Sequence, residues 1–394
     1  MKIPFFVLLC AGMFVSGRAQ TWQNLNSGTS QLLTHVHFLH PDTGYFNGTA
    51  LFKTSNGGST WSQIGACPGD VTMWSQQTGL STGTGISKTT NGGTSWNSVF
   101  SDSRVAYIPE IQMLNASTGF ATAIASGFDS TLLVKTTDGG NTWQIRGGFP
   151  DFATASFLHF LNQDTGFIAS DGMNAIYKTT DGGINWTLNY GGPATIYYAD
   201  IFFIDNNRGW ACGAGGLIHT SNGGNSWTVQ GNFSSGIMYS VKFVNANRGF
   251  IVGGNGVSTG YLYETTNGGT TWTQTQAHSQ TFHSLSFPST SIGYTVGSSG
   301  TALKYGGSPS GIIYHDLSAG IYQDVENELI QITLPEFLST ADLSVFNISG
   351  ALIQRENYQK SNPTISTANL PAGIYLLRIA SGEQVYSGKF VISR

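Results

Sequence analysis

The side chains best suited to catalysis are aspartates scattered between short apolar runs from residue 70 to residue 200. Two carboxyl groups about 5–10 Å apart can hydrolyse a glycosidic bond, one as acid and the other as base or nucleophile. The aspartates have different sequence contexts, however, and an isolated Asp commonly stabilises a turn by bonding nearby backbone. We therefore expect no catalytic residue and keep hydrolysis as an alternative hypothesis. The aspartates available to such a pair are Asp70, Asp129, Asp151, Asp171 and Asp200.

Histidine and cysteine spacing does not indicate a metal site. His35 and His37 would share one face of a strand, but no third ligand accompanies them, and zinc sites use three or four protein ligands. Cys10 falls in an N-terminal leader, and Cys67 and Cys212 lie far apart in the chain. We expect these two to be buried free thiols, although an oxidising compartment would permit a disulfide. We expect no metal and no cofactor.

Aromatic side chains near short acids suit binding better than catalysis. Flat rings contact sugar rings or peptide segments, while carboxylates orient hydrogen bonds. Tyr197 and Tyr198 are adjacent, and adjacent strand residues face opposite ways, so we expect at least one exposed ring. The predicted ligand-binding residues are Tyr107, Phe152, Asp171, Tyr197 and Tyr198.

A repeated pattern indicates which elements position these residues. The pattern is Thr-(Ser/Thr)-(Asn/Asp)-Gly-Gly-x-x-Trp, and each copy is termed a Trp-turn below. Its tryptophans are 35 to 47 residues apart, which is the period of propeller blades. Asn-Gly or Asp-Gly between two extended runs predicts a hairpin, because these residues accept positive φ. The six Trp-turns are Thr54–Trp61, Thr89–Trp96, Thr136–Trp143, Thr179–Trp186, Thr220–Trp227 and Thr265–Trp272.

A second marker, a glycine and then an aromatic residue or leucine after an apolar strand, stands once in each of seven units. The marker glycines are Gly44, Gly79, Gly119, Gly166, Gly209, Gly249 and Gly293. The seventh unit lacks a Trp-turn, and an unpaired Thr21-Trp22-Gln23 stands near the start of the chain. We predict an all-β fold, a seven-bladed β-propeller over residues 20–306, in which the Trp22 segment supplies the last blade's outer strand. Such closure removes exposed sheet edges. The connections that carry the predicted binding residues would then share the face opposite the Trp-turns.

The Trp-turns resemble the Asp-box motif, Ser/Thr-x-Asp-x-Gly-x-Thr-Trp, of sialidases, sortilin-like receptors and xyloglucan-type glycosidases. The longer unit, Arg208-Gly-Trp-Ala-Cys-Gly followed by Thr220–Trp227, is most similar to the photosystem II assembly-factor-like propeller family. This resemblance covers about residues 20–306 and implies a propeller whose boxes are structural turns on the outer rim. Four of the six boxes carry Asn instead of Asp, so we interpret none of them as catalytic.

A sialidase site is not expected despite this resemblance, because it would need three converging arginines. The propeller region holds four arginines, and Arg208 and Arg248 occupy the same place in consecutive units, which points them away from a common site. The four are Arg104, Arg146, Arg208 and Arg248.

The C-terminal region has a different pattern. A Gly/Ser/Pro-rich linker at 307–315 precedes short alternating runs, which predict a small Ig-like β-sandwich over 316–394. Leu343–Gly350, Leu370–Arg378 and Gly388–Arg394 resemble the sorting domain of type IX secretion in Bacteroidota, although Tyr322-Gln-Asp-Val replaces the usual Tyr-Pro-Asn-Pro. The resemblance implies the type IX secretion machinery as a partner.

The N-terminus predicts a signal peptide over residues 1–19. Lys2 precedes an apolar run from Ile3 to Val15. A short stretch with small residues follows the run and ends at Ala19, as signal-peptide cleavage requires. Thirteen apolar residues are too few to span a bilayer, so no stable membrane span is expected. We expect Sec export followed by outer-membrane export, giving a secreted or cell-surface protein.

The net charge argues against one class of function, nucleic-acid binding. With 17 Lys+Arg and a net charge of −4, the chain lacks the basic surface that nucleic-acid binding requires. The leading hypothesis is a non-enzymatic propeller that binds a glycan or protein. The alternatives are an extracellular glycoside hydrolase acting on a polysaccharide and an assembly factor for an envelope protein complex. The sorting tail disfavours the assembly factor, because it implies exit from the periplasm.

Overall fold

The protein folds as two compact units, Thr21–Gly306 and a second within Gly307–Arg394. The computed structural model describes residues 21–66, 69–150, 156–171, 174–191, 197–231, 233, 236–256 and 258–306 of the first unit. Of the second it describes 313–316, 321–324, 329–332, 341–347, 351–358, 364–368, 370–381 and 384–392. The predicted signal peptide, Cys67, Asp151 and Phe152 lie outside the described residues. Within these ranges no helix is long and apolar enough to cross a bilayer.

In the described part of the first unit the regular structure consists of short β-strands and one 3-10 turn at Ser298–Gly300. In chain order the strands are β1 (Trp22–Asn24), β2 (His35–Phe38), β3 (Gly44–Asn47), β4 (Ala50–Thr54), β5 (Ser62–Ala66), β6 (Val71–Met73), β7 (Gly79–Ser81), β8 (Ile86–Thr89), β9 (Asn97–Phe100), β10 (Val105–Met113), β11 (Gly119–Ala125), β12 (Ser130–Thr136), β13 (Gln144–Pro150), β14 (Ser156–Phe160), β15 (Gly166–Ser170), β16 (Ala175–Thr179), β17 (Thr187–Gly191), β18 (Tyr197–Phe203), β19 (Gly209–Ala214), β20 (Gly216–Thr220), β21 (Thr228–Gly231), β22 (Ile237–Phe243), β23 (Gly249–Gly254), β24 (Gly260–Thr265), β25 (Thr273–His278), β26 (Phe282–Ser286), β27 (Gly293–Gly297) and β28 (Ala302–Tyr305).

These strands form seven antiparallel four-stranded blades. Blades 1 to 6 are β2–β5, β6–β9, β10–β13, β14–β17, β18–β21 and β22–β25. Blade 7 consists of β26, β27 and β28 with β1 as its outer strand, and Trp22 lies opposite Tyr305 in that pairing. The predicted propeller is confirmed, including its closure by the Trp22 segment.

The marker glycines make room for the contact between neighbouring blades. A Cβ on Gly44 would lie 2.5 Å from the Phe38 ring, so only glycine fits beneath that ring. Phe38 then stacks on Tyr294 of blade 7 at 3.4 Å. The arrangement recurs between blades 3 and 4, where Phe120 stacks on Phe160 at 3.7 Å. Each aromatic pair contributes about 0.5–1.5 kcal/mol beyond its buried area.

Each Trp-turn is held by its own Thr and Asn or Asp side chains. In blade 1 the Thr54 hydroxyl oxygen accepts the Gly58 N–H at 3.0 Å, and Asn56 Oδ1 accepts the Thr60 N–H at 2.9 Å. Gly57 and Gly58 adopt φ of +67° and +84°, which favours glycine. The turn uses an acceptor oxygen that Asn and Asp both possess, which explains why Asn serves in four copies.

Lysines link successive blades. The Lys88 and Lys178 ammonium groups each donate to a carbonyl in the next blade's Trp-turn, at Gly139 and Gly223, both at 2.7 Å. Blade 6 has Glu264 at the equivalent position, and Glu264 pairs with Arg248 at 2.7 Å. Because blade 7 has no Trp-turn, a lysine on blade 6 would have no such carbonyl to bind.

The described part of the second unit forms two sheets around one apolar core. Five strands pair in the order β29-β36-β35-β32-β33 and three in the order β30-β31-β34. Residues from both sheets, including Ile330, Ile365, Leu343 and Leu377, share the core. The strands are β29 (Ile313–Asp316), β30 (Ile321–Asp324), β31 (Leu329–Ile332), β32 (Ala341–Asn347), β33 (Leu352–Tyr358), β34 (Thr364–Ser366), β35 (Gly373–Ser381) and β36 (Gln384–Ile392).

Ring closure by β1 leads to a stability prediction. Trp22 is buried against Phe250 and Tyr305, so Trp22→Ala should lower the free energy of unfolding by about 3–5 kcal/mol. Urea unfolding followed by fluorescence measures the change. Val229→Ala is the control, because Val229 is exposed on an outer strand. Equal unfolding midpoints for the two variants would contradict the proposed role of Trp22 in closure.

Candidate functional site

The inner strands of the seven blades line a central channel with two rings of side chains. Residues nine and seven positions before each marker glycine point into the channel, because the residues between them pack in the interblade cores. The first ring is His35, Asp70, Glu110, Phe157, Asp200, Ser240 and Ser284. The second ring is His37, Thr72, Gln112, His159, Phe202, Lys242 and Ser286.

Many ring side chains bond the free backbone edge of the next blade. Ser286 Oγ accepts the Phe38 N–H of blade 1 at 2.9 Å, and Glu110 Oε2 accepts the Leu158 N–H of blade 4 at 2.7 Å. Asp200 Oδ2 accepts the Val241 N–H of blade 6 at 3.0 Å. An inner strand has no sheet partner on its channel side, so these side chains satisfy donors that would otherwise need water. Glu110 and Asp200 therefore have a structural role.

Glu110, Asp200 and Lys242 form a charged group on one side of the channel. The Lys242 ammonium lies 3.0 Å from Asp200 Oδ2, which also accepts the Ser240 hydroxyl at 2.9 Å. Burial opposes the charge on Lys242, but Asp200 and Glu110 outweigh it and raise its pKa. Burial, reinforced by the negative charge of Asp200, raises the pKa of Glu110 to about 8. At neutral pH the Glu110 carboxyl is therefore mostly protonated.

Two channel histidines, His37 and His159, are held neutral. Burial, with a contribution from His35, lowers the pKa of His37 to about 4, and its Nε2 lies 2.7 Å from the Met73 carbonyl oxygen. Burial and the nearby Lys242 charge lower the pKa of His159 to about 3. His35 Nδ1 is 3.9 Å from Asp70 Oδ2. His35 and His37 thus have different partners and belong to different rings.

Irregularities in four inner strands turn further side chains toward the channel. The register slips immediately before Glu110, Asp200, Ser240 and Ser284. A β-bulge bends the strand and redirects a side chain. The residues at these slips, Pro109, Ala199, Tyr239 and His283, all line the same cavity as the first ring.

This channel cavity has a volume of about 180 Å³. Its lining combines carboxyl, ammonium and hydroxyl groups with the rings of Phe157 and Tyr239. Tyr239 packs on His283 with a centroid distance of 4.9 Å. The cavity offers many hydrogen-bonding groups and some flat apolar surface.

The inner strands begin on the face opposite the Trp-turns. Tyr107 and Tyr197 stand twelve residues before the marker glycines of blades 3 and 5, and 42% and 52% of their surfaces are exposed. Turns between second and third strands share this face, because neighbouring strands are antiparallel. Phe128 and Asp129 occupy that turn in blade 3, and Asp171 begins it in blade 4. The mouth face is defined here as Tyr107, Phe128, Asp129, Asp171 and Tyr197.

The predicted binding residues divide into three groups. Tyr107, Asp171 and Tyr197 lie on the mouth face, and their role in binding stays a prediction. Phe152 lies outside the described residues. Tyr198 needs correction: it is 1% exposed and packs with Ile201 in the core between blades 4 and 5, so its ring cannot meet a ligand. Strand alternation predicted that at least one of the two rings would be exposed, but it did not indicate which one.

Several channel residues were missed by sequence reasoning. Asp70 and Asp200 were considered, whereas Glu110, Lys242 and His283 were not. The signal that would have found Glu110 and Lys242 is the constant offset from the marker glycine. Cys212 is buried as a free thiol, 3.3 Å from the Met238 carbonyl oxygen.

Family comparison bears on the C-terminal unit. Residues 326–393 match the family described as "Secretion system C-terminal sorting domain". The chain carries a secretion sorting domain. This tail indicates export by type IX secretion to the cell surface or beyond, and the type IX machinery as a partner. The sorting domain accounts for the second unit and leaves the activity of the propeller open.

The chain also has sequence and structural relatives. A segment is 37% identical over 65 residues to "Photosystem II stability/assembly factor HCF136, chloroplastic" of Guillardia theta, spanning 16% of this chain and 16% of that protein. The structure titled "YCF48 bound to D1 peptide" has a TM-score of 0.58 at 18% identity, covering 73% of this chain and 97% of that one. The GH74 enzyme of Niastella koreensis has a TM-score of 0.54 at 15% identity, covering 95% and 68%. These structural likenesses establish the propeller fold alone.

The raised pKa of Glu110 leads to a pH prediction. Between about pH 4.5 and 8 the unfolded chain releases the Glu110 proton while the folded protein retains it, so this group makes stability fall as pH rises through that window. Glu110→Gln lacks this dependence and can still accept the Leu158 N–H. We expect the variant's melting temperature to equal that of wild type near pH 4.5 and to exceed it by a few degrees at pH 8.

Thermal unfolding at several pH values measures this difference. Asp164→Asn is the control, because Asp164 is exposed on a turn at the opposite face and should leave the pH profile unchanged. Parallel profiles for wild type and Glu110→Gln would show that Glu110 titrates normally.

Proposed function

We propose that this chain is an exported, non-catalytic binding protein whose propeller holds a glycan or protein ligand on its mouth face. The observation that supports this most is the pair of half-exposed tyrosines, Tyr107 and Tyr197, at equivalent positions on either side of blade 4. A large aromatic ring left in water forgoes the burial that the interblade cores give most other rings. Two such rings on the face that also carries Asp171, at the mouth of a polar cavity, favour a ligand contact.

Phe128 supports the same face. It is 59% exposed and has a φ of +55°, a conformation that costs a non-glycine residue about 1 kcal/mol or more. Such strain in an exposed turn is typical of binding surfaces. Asp129 and Asp171 would add acceptors beside the three rings, a combination that suits sugar hydroxyls or peptide amides.

A glycoside hydrolase is the second candidate. The specific observation in its favour is that Glu110 holds its proton at neutral pH while Asp200, paired with Lys242, lines the same cavity. An acid and a carboxylate in one cavity match the requirement for glycosidic cleavage. Binding is preferred because both carboxyls already bond the backbone of the next blade, as the ring serines and Gln112 also do. An assembly-factor role is third, because the sorting tail takes the protein out of the periplasm.

The test uses the purified protein with plant, algal and microbial polysaccharides and an immobilised peptide library. Retention and the release of new reducing ends are recorded together. We expect retention on at least one polymer or peptide class without new reducing ends. Tyr197→Ala should weaken that retention roughly tenfold, as loss of an aromatic contact residue does.

Leu188→Ala is the matched control, because Leu188 is 62% exposed on an outer strand away from the mouth face. Its retention should equal wild type. If wild type releases new reducing ends and Glu110→Gln does not, the protein is a hydrolase and the binding proposal is wrong. If Tyr107→Ala and Tyr197→Ala are both retained as strongly as wild type, the ligand does not bind at the mouth face.

A further inference from the structure

We infer that the channel cavity is a subsite for one neutral sugar residue, the end of a glycan whose following residues lie on the mouth face. This inference rests on the glycan form of the proposed function. It adds the chemical class of the ligand group and the direction in which the glycan enters.

The size of the cavity limits the ligand to one ring. Pockets that enclose drug-sized ligands measure about 300–1,000 Å³, whereas this cavity measures about 180 Å³. Inner strands from all seven blades surround it, each contributing its first-ring residue. A chain of several sugar rings would therefore have to extend out of the cavity along the channel axis.

The lining selects a polyhydroxylated ligand. Hydroxyl groups of Thr34, Thr72 and Ser240 line the cavity together with the carboxyls of Asp70 and Glu110. Most of these groups already hold one intramolecular bond, as Ser240 does with Asp200 and Glu110 with the Leu158 N–H. An apolar ligand would still remove their remaining hydrogen-bonding sites from water, at a cost of about 1–3 kcal/mol for each group left unpaired. Sugar hydroxyls both donate and accept, so they can meet a protonated Glu110 as well as ionised carboxylates. Phe157 and Tyr239 supply apolar surface for the C–H face of a sugar ring.

Charge excludes acidic sugars. Asp70 and Asp200 bring two negative charges, Lys242 brings one positive charge already paired with Asp200, and Glu110 is mostly neutral. A carboxylate on the ligand would meet net negative charge at short range in a poorly solvated site. A neutral sugar avoids this repulsion.

Position along the strands gives the direction of entry. Tyr107 and Tyr197 precede the first-ring residues Glu110 and Asp200 by three positions on the same strands. Because of the bulge in each interval, the partner strand advances by only two residues there, or roughly 7 Å, about the reach from one sugar residue to the next. A terminal sugar in the cavity thus places its neighbours beside the mouth-face tyrosines.

The test measures binding of single sugars to the full chain by saturation-transfer NMR. The probes are the methyl glycopyranosides of glucose, galactose, mannose and xylose, with glucuronic acid as the charged counterpart. We expect at least one neutral glycoside to bind with a millimolar dissociation constant and glucuronic acid to bind at least tenfold more weakly. Equal or tighter binding of glucuronic acid would overturn the inferred ligand class.

A cavity-filling variant locates the bound sugar. Ala199 lines the cavity, so Ala199→Leu should weaken methyl glycoside binding at least tenfold. Ala116→Leu is the matched control, because Ala116 is exposed on the Trp-turn face. Circular dichroism checks that both variants fold, and Tyr239→Ala, which removes the ring surface without adding bulk, should also weaken binding.

The outcomes separate this inference from the proposed function. Tyr197→Ala should reduce polymer retention while leaving methyl glycoside binding intact. If folded Ala199→Leu and Tyr239→Ala bind glycosides as wild type does, or if wild type retains a polymer but binds no neutral glycoside, the cavity subsite is wrong and mouth-face binding stands. If wild type binds peptides and no carbohydrate, the inference fails and the protein form of the proposed function remains.

Discussion

Every sheet of the propeller buries both faces against its neighbours, and this constraint governs the rest of the structure. Seven interblade cores join the seven blades in a closed circuit, and the core between blades 7 and 1 is as apolar as the others. The marker glycines follow from the constraint, because a large inner-strand side chain lies over each of them. The same constraint explains the outer strand β1, because β1 carries Trp22, which fills the space beside Phe250.

Besides the outer edge of each blade, closure of the ring leaves the channel edge of each inner strand without a sheet partner. The chain meets that need with polar side chains nine and seven residues before the marker glycine, and their identity differs from blade to blade. The backbone N–H groups of the next blade are bonded by serines of blade 7, by Glu110 and Gln112 of blade 3, and by Asp200 of blade 5. Titratable groups therefore collect in a partly desolvated channel, where burial raises the pKa of Glu110 and lowers those of His37 and His159. The cavity is thus a product of the fold as well as a candidate site.

Much of the fold could be predicted from the sequence because its signals are local and repeated. Asn-Gly and Asp-Gly turns, a glycine under an aromatic ring and a tryptophan at fixed spacing each reflect a contact within one blade or with its neighbour. The unpaired Trp22 segment identified the closing strand for the same reason. The site was harder to predict, because Glu110, Asp200 and Lys242 come from three different blades and meet only across the channel. Tyr198 was misplaced since alternation alone does not say which face of β18 meets the blade 4 core.

The central claim is that the ligand occupies the mouth face of the propeller and not its Trp-turn face. Hydrogen–deuterium exchange of the full chain, with and without the polymer or peptide that it retains, tests this most directly. The account predicts slower exchange at residues 105–113, 126–129 and 197–203, with no change in the Trp-turns. Protection confined to the Trp-turns, or to the C-terminal unit, would contradict it.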